Sequence, residues 1–245
     1  MKKPIFHFLS FLVIIFLSSC EKQINEPNSQ EDIVANNSED IIELPESNLA
    51  NRIIFHNRNA SIVATQSIDG VETVTDPISH IATVLPLRHQ GKTLHATHLD
   101  ITNNRAYISY ASSDTSYVGG VDVINTSNIQ NPRSLTSLIY TNFKVNAVVV
   151  GSSRMFFSGT RRPSSFTPAV TTAESATFGL HNLNSSGRPS GSLRTTRIGG
   201  YNGTDIAFHN NKVYFLSGNN GRLTVFNTAG VQQDQHVVDD GRGIA

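Results

Sequence analysis

The chain has 245 residues with 19 basic and 19 acidic side chains, and 38% of its residues are hydrophobic. This modest apolar content, balanced by Ser, Thr and Asn, favours many short strands and turns over long helices. A formal net charge of zero disfavours a nucleic-acid partner, and the absence of Trp disfavours folds built on a Trp signature. Charge is unevenly placed, because residues 21–50 carry eight acids and one lysine, whereas residues 51–245 carry 16 bases and 11 acids.

The N-terminus separates positive charge from apolar residues. Lys2 and Lys3 precede an apolar run at 5–17, which is too short to span a bilayer comfortably and is typical of a secretory signal peptide. The run ends in Leu-Ser-Ser-Cys at 17–20, and Cys20 is the only cysteine of the chain. This tetrapeptide resembles the lipobox of bacterial lipoproteins. The alternative is an ordinary signal peptide with an incidental cysteine.

The lipobox resemblance implies where the protein resides and what holds it there. It implies that residues 1–19 are a lipoprotein signal peptide that is removed, and that Cys20 is the lipidation site, with two or three acyl chains. Several chains anchor a protein stably, because each buried CH₂ contributes about 0.8 kcal/mol. The expected location is the bacterial cell envelope, lipid-anchored to a membrane. The outer membrane is expected, with its periplasmic and surface faces both left open.

An acidic, polar segment follows the predicted lipidation site. Residues 20–50 lack aromatic side chains and contain Pro27 and Pro45. Because such a segment cannot bury enough apolar surface to order itself, we predict a flexible tether. The alternative is a folded N-terminal extension that uses the apolar residues of 41–44.

The body of the chain repeats a short pattern of a turn residue, a base and alternating bulky residues. The three copies are at 104–109, 153–158 and 211–215. Alternation with a period of two predicts a strand in each copy. An aromatic side chain occupies the same place every time, as Tyr107, Phe156 and Tyr214.

Further strand-like runs surround each copy in a fixed order. One precedes it and two follow, which makes four short strands in each unit of about 45–60 residues. This arrangement predicts an all-β fold of β-propeller blades. The aligned aromatics should pack between blades, and ligand stacking is the alternative role for them. The surrounding runs are 96–101, 120–125 and 135–140; 146–150, 177–183 and 192–198; and 204–208, 223–227 and 231–238.

One unit also resembles a known repeat. Residues 120–132 read Gly-Val-Asp-Val-Ile-Asn-Thr-Ser-Asn-Ile-Gln-Asn-Pro and follow a strand with Ala-Tyr-Ile at 106–108. They are similar to the LVIVD repeat of bacterial propeller lipoproteins, with departures at Asn125, Thr126 and Ile129. The other two units match it loosely. The resemblance implies a propeller scaffold at the cell envelope, in a family commonly without assigned activity.

Three units do not complete a predicted ring, because propellers typically have about four to eight blades. Residues 241–245 align with 203–207, the opening of the third unit. We therefore expect residues 93–245 to hold three blades and the start of a fourth. Residues 51–92 contain N-terminal strand-like runs that we expect to form a partial blade. We therefore hypothesise that this chain is the N-terminal portion of a longer protein, or an interrupted gene product.

Candidate site residues in the strands are few. The sequence has no nucleophile elbow, phosphate-binding glycine loop or His-Glu-x-x-His motif, so no catalytic residue, metal or cofactor is predicted. His98 and Asp100 share one face of a predicted strand, and near a propeller axis they would line the channel, as would Asp205. One alternative is a solvated polar rim. The other is a metal site, which is disfavoured because His95 and His98 point to opposite faces of the strand.

Basic residues concentrate in the second unit. Arg161 and Arg162 open a long polar insert that ends at residue 175, and inserts of this length are mobile or bind ligands. Because guanidinium forks suit phosphate, sulfate and carboxylate groups, an acidic glycan or a protein is the predicted partner. A solvated surface is the alternative. The candidate anion-binding residues are Arg154, Arg161, Arg162, Arg188, Arg194 and Arg197.

Three functions fit these patterns. The first is an envelope-anchored lipoprotein that presents a β-propeller for binding or scaffolding. The second is an enzyme of the lyase or hydrolase type that uses the propeller channel, and the third is a truncated, non-functional fragment. The lack of a catalytic motif favours the binding module over the enzyme.

Overall fold

A computed structural model describes residues 32–34, 40–56, 61–64 and 76–244. The fold is all-β, with 58% strand and 7% helix, and its sheets are antiparallel. In the described ranges, no helix is long and apolar enough to span a membrane. The N-terminal elements are strands β1 (Asp32–Val34) and β2 (Ile41–Glu43), helix α1 (Glu46–Ala50), and strands β3 (Ile53–Phe55), β4 (Ser61–Ala64), β5 (Asp76–Ser79), β6 (Ala82–Val84), β7 (Arg88–His89) and β8 (Lys92–Thr93).

Three antiparallel meanders follow, each with the four strands that the sequence pattern predicts. Within each meander the strands pair in chain order, so the first strand is always an edge. The first meander comprises β9 (His95–Thr102), β10 (Arg105–Ala111), β11 (Gly119–Asn125) and β12 (Arg133–Tyr140); the second β13 (Phe143–Gly151), β14 (Arg154–Arg161), β15 (Ala176–Leu183) and β16 (Pro189–Arg197); the third β17 (Asn202–His209), β18 (Lys212–Gly218), β19 (Gly221–Asn227) and β20 (Gln232–Val238).

The hairpin between the first two strands has the same backbone in every meander. Its two central residues, at 103–104, 152–153 and 210–211, have φ between 48° and 58°, the left-handed region. Two left-handed residues in a row make the tight turn whose twist matches antiparallel strands, and Asn tolerates this conformation better than most residues. The turn residues in the sequence repeat therefore set the hairpins.

Each first strand carries a bulge at the equivalent position. The register against the second strand skips Thr97 in β9, Asn146 in β13 and Thr204 in β17. Two of these side chains bond the next meander: Thr97 Oγ1 donates to Val145 O at 2.8 Å, and Asn146 Nδ2 donates to Gly203 O at 2.7 Å. Neighbouring first strands consequently lie side by side at matching levels.

The residues after β20 follow the edge of the third meander in the same way. Thr204 Oγ1 donates to Gly241 O at 2.9 Å, and Ile244 N donates to Asp205 Oδ2 at 2.8 Å. The hydrogen bond from Thr204 to Gly241 is thus equivalent to the one from Asn146 to Gly203. The described part of this segment, up to residue 244, has no strand of its own.

The meanders pack face to face in chain order. One core cluster joins the first meander to the second, and another joins the second to the third. Tyr107 is buried in the first of these clusters and Phe156 in the second, so the prediction that the aligned aromatics pack between sheets is confirmed for these two residues. Tyr214, the equivalent residue of the third meander, alternates with Val213 and Phe215, which face the second meander. Its ring therefore lies on the opposite face.

Residues 40–50 are folded, which corrects the flexible tether predicted for residues 20–50. Strand β2 pairs with β12 as a fifth strand of the first meander, and β1 pairs with β16 in the second. The physical reason is that a meander's fourth strand leaves unpaired backbone groups at its edge. Ile41 and Leu44 also pack against core clusters. The alternative, a folded extension, describes residues 40–50.

The described parts of residues 51–92 form three two-stranded pairs, β3 with β6, β4 with β5 and β7 with β8. The predicted partial blade would be a single multi-stranded sheet, and these ranges contain no such sheet. Leu87 and Leu94 instead pack against Tyr110 on the face of the first meander that points away from the second. The segment therefore covers a sheet face rather than extending the series of meanders.

Candidate functional site

The loops between second and third strands gather on one face of the molecule. Because first strands lie side by side and strands alternate in direction, these loops share that face with the connections between meanders. We call it the loop face. It comprises residues 112–118, 141–142, 162–175, 198–201, 219–220 and 239–242.

Basic side chains surround Tyr117 on the loop face. Lys144 Nζ lies 5.6 Å from the Tyr117 ring centroid, and the Arg162 guanidinium carbon lies 6.0 Å from it, within the range of cation–π contacts. Lys92 Nζ lies 2.5 Å from Asp114 Oδ2 in the same loop. We call Lys92, Lys144 and Arg162 the cationic cluster.

The hydrogen-bond partners of the cationic cluster neutralise only part of its positive charge. Lys144 Nζ donates to the backbone oxygen of Asp114, and Arg162 Nη2 donates to Ser116 O at 2.8 Å. Hydrogen bonds from Lys92 and Ser116 hold the pKa of the Asp114 carboxyl well below its usual range, so this charge balances Lys92. Burial lowers the pKa of Lys144, against the opposing effect of Asp114. Lys144 and Arg162 thus present two cations bonded to neutral acceptors.

A pocket of about 410 Å³ opens on the loop face at the junction of the second and third meanders. Tyr201 stands at this pocket and is 51% exposed. Arg242 Nη2 lies 2.6 Å from Asp240 Oδ2, so an exposed ion pair borders the same space. We call it the Tyr201 pocket. Its lining residues are Asn146, Tyr201, Asn202, Thr204, Gly218, Asn219, Asp240, Gly241 and Arg242.

The six predicted anion-binding arginines do not form one site, and Arg161 is the clearest correction. Its side chain is buried, donating to Thr195 Oγ1 at 2.8 Å and to Ser165 Oγ at 3.0 Å. Burial lowers its pKa. These bonds fix the start of the 162–175 loop to the second meander. Arg162, the next residue, is exposed and belongs to the cationic cluster.

The other four arginines are spread over the second meander. Arg154 and Arg194 donate to the backbone oxygens of residues 228–229, a turn of the third meander, so they join two sheets. Arg188 precedes β16 and Arg197 ends it, which places them at opposite ends of the sheet. The structure therefore leaves Arg162 as the one member of the set that joins the loop-face cluster.

Two of the three predicted channel residues, Asp100 and Asp205, link neighbouring segments. Asp100 Oδ2 accepts a hydrogen bond from Val150 N at 2.8 Å, and Asp205 Oδ2 accepts one from Ile244 N at 2.8 Å. Burial raises the pKa of Asp100, although the bond from Val150 and the nearby His98 lower it. His98 Nδ1 is buried and has no hydrogen-bond partner among the described residues. Nowhere in the described ranges do three His, Cys, Asp or Glu side chains gather as a metal site.

Sequence reasoning missed Lys92, Lys144, Tyr117 and Tyr201. No short motif contains them, because they come from different strands and loops. A usable signal was present in the repeat itself. Residues 112–118 and 162–175 both interrupt a unit between its second and third strands, and equivalent loops of neighbouring units lie on one face. The repeat alignment could therefore have grouped the two loops.

No family model matches the chain, and no curated protein matches it significantly. The resemblance to LVIVD repeats therefore stays a prediction. The signal peptide at 1–19 and the lipidation site at Cys20 lie outside the described residues, and both also stay predictions.

Proposed function

We propose that this chain is a cell-envelope lipoprotein that presents a β-propeller-type scaffold for binding, and that its partner is an acidic glycan. Support for the scaffold comes from three four-stranded meanders with the same strand order, packed face to face in chain order. Propeller blades have this strand order and this succession. Support for the anchor comes from the signal-peptide pattern that ends at Cys20.

The observation that carries the binding proposal is the pairing of Lys144 with Arg162 at Tyr117. Both cations bond backbone oxygens of an exposed loop, which are weaker acceptors than an anion. A carboxylate or sulfate group would replace them with charge-assisted bonds, bidentate at the guanidinium. The Tyr117 ring, which both cations approach within about 6 Å, adds an apolar edge with a polar hydroxyl, suited to a sugar that carries the acidic group.

The charge distribution favours a glycan over a nucleic acid. The chain has no net charge, so the positive surface is local rather than a long basic stripe that follows a phosphate backbone. Asp114 stands within the same loop and would repel a densely charged polymer. A polymer with spaced carboxylate or sulfate groups fits this pattern better.

Retention on immobilised acidic polysaccharide tests the binding proposal. We expect the full chain to bind polygalacturonate resin, and the Lys144→Gln/Arg162→Gln variant to bind about tenfold more weakly or worse, because two charge-assisted contacts are lost. The matched control is Arg133→Gln/Lys212→Gln, which removes one arginine and one lysine from exposed strand ends opposite the loop face. Equal weakening in both variants would indicate attraction to overall charge and overturn the assignment.

Fatty-acid labelling tests the anchor separately. Cells that express the full chain are grown with an alkyne fatty acid, and the label is expected on the wild-type protein in the membrane fraction. Cys20→Ser should lose both the label and membrane retention. Label that persists in Cys20→Ser would contradict the proposed anchor without bearing on the loop face.

A further inference from the structure

The Tyr201 pocket is a second polar site on the loop face, built from different residues than the cationic cluster. The second meander contributes Asn146 and the third contributes Thr204, while 240–242 complete the wall. Its volume of about 410 Å³ falls within the range of about 300–1,000 Å³ typical of small-ligand sites.

The backbone beneath Tyr201 is held in place while its ring stays exposed. Tyr201 N donates to Gly218 O at 3.2 Å, and Tyr201 O accepts from Ser175 Oγ at 2.9 Å. The preceding Gly200 has φ of +90°, and a Cβ there would lie 2.9 Å from Ser217 Oγ, so this turn requires glycine. An exposed aromatic ring on a fixed backbone provides contact area for a ligand, and its binding costs little conformational entropy.

The remaining lining groups are polar and electrically balanced. Asp240 and Arg242 neutralise each other across 2.6 Å. Asn202 and Asn219 add amide groups, each of which both donates and accepts. The pocket therefore combines one flat apolar surface with several hydrogen-bonding groups and no net charge.

We infer that the Tyr201 pocket binds a neutral sugar ring. A pyranose has an apolar face of C–H groups, which fits the Tyr201 ring, and a rim of hydroxyls, which fits the Asn amides and the Asp240–Arg242 pair. An acidic sugar would compete with Asp240 for Arg242, so an uncharged sugar is preferred. This inference goes beyond the proposed function, which places acidic groups at the cationic cluster.

Tyrosine NMR tests the inference directly, because the chain has six Tyr and no Trp. The full chain, labelled with ring ¹³C tyrosine, is titrated with cellobiose, maltose, lactose and chitobiose, and Tyr201→Phe assigns the Tyr201 signal. We expect at least one disaccharide to shift the Tyr201 signal saturably and to leave the Tyr117 signal unchanged. Failure of all four sugars to shift the Tyr201 signal would overturn the inference.

Variants then locate the binding. Tyr201→Ala should weaken the affinity for the responding sugar by about tenfold or more, because it removes the aromatic contact, whereas Tyr201→Phe should keep most of it. Tyr117→Ala, an equal truncation beside the cationic cluster, is the control and should bind as the wild type does. Wild-type affinity in Tyr201→Ala would sink the assignment. Lys144→Gln/Arg162→Gln should leave this titration unchanged, so failure of the acidic-glycan proposal and failure of this one are distinguishable.

Discussion

At the scale of single residues, His181 has an unusual environment for a histidine. It is 1% exposed, and the rings of Tyr140 and Phe157 both lie 6.1 Å from its centroid, the first stacked and the second perpendicular. Neither of its ring nitrogens has a hydrogen-bond partner in the described part of the chain. Burial in these apolar surroundings lowers the pKa of His181 to about 4, because the charged imidazolium loses its hydration.

The folded state should therefore lose stability as the pH falls from about 6.5 towards 4. In this window the unfolded chain binds a proton at His181 that the folded chain does not, so the free energy of unfolding falls by up to about 3 kcal/mol. Urea unfolding at about pH 7.5 and about pH 4.5 measures the loss, which should be smaller in His181→Leu. His209→Leu removes an exposed histidine and should behave as the wild type does. Equal losses in wild type and His181→Leu would show that other groups govern the acid response.

Single residues also show where sequence reasoning reaches its limit. Arg161 and Arg162 are adjacent and chemically identical, and the sequence assigns both to anion binding. At the end of β14 their side chains point in different directions, one into the protein and one to solvent. Composition shows that basic residues concentrate in the second unit, but it does not show which of them are buried. The burial of Arg161 depends on contacts with Thr195 and Ser165, which no local pattern contains.

At the scale of elements, the three equivalent hairpins differ in how well their residues suit the turn. The first and third use Asn pairs, whereas the second uses Ser152 and Ser153, with φ of 50° and 58°. Residues with a Cβ resist the left-handed region, at a cost of about 1–2 kcal/mol, and Asn tolerates it better than Ser. The second hairpin is therefore the least favourable of the three.

Replacing Ser153 by Gly should stabilise the protein by about 0.5–1 kcal/mol, because glycine adopts a positive φ without a steric penalty. The backbone bond from Leu183 N to Ser153 O is kept. The midpoint of urea unfolding measures the gain. The control is Ser185→Gly, in a turn where the serine has no positive φ, which should bring no gain. A stability increase in both variants would point to a general effect of removing a serine.

The elements themselves were the most predictable part of the molecule. Alternating bulky residues located all four strands of each meander, because burial on a sheet face imposes a period of two. The bulges at Thr97, Asn146 and Thr204 were not predicted. A bulge is a property of the register between two strands, and the sequence of one strand does not reveal it. The links between meanders that these bulges create were missed for the same reason.

At the scale of the whole molecule, a buried ion pair joins the N-terminal segment to the first meander. The Arg52 guanidinium bonds both carboxylate oxygens of Asp122, with Nη1–Oδ1 at 2.5 Å and Nη2–Oδ2 at 2.6 Å. Asp122 is fully buried and also accepts bonds from the hydroxyls of Tyr110 and Ser137. The alternation within β11 suggests an outward-facing carboxylate, but the N-terminal segment covers that face. The predicted tether extends too far along the chain, to residue 50, because the sequence pattern of the repeats does not show that residues distant in sequence pack on their sheets.

Replacing Asp122 by Asn should therefore destabilise the protein by about 3–5 kcal/mol, because it leaves the Arg52 charge buried without a counter-charge. Arg52→Met removes that charge, so the double variant should be more stable than Asp122→Asn alone, with a coupling energy of about 2 kcal/mol or more. Urea unfolding of the wild type, both single variants and the double variant measures this cycle. The matched control is Asp114→Asn, which breaks an exposed pair with Lys92 and should have little effect. If the two buried substitutions are simply additive, Arg52 and Asp122 contribute separately, and this pair does not hold the N-terminal segment on the first meander.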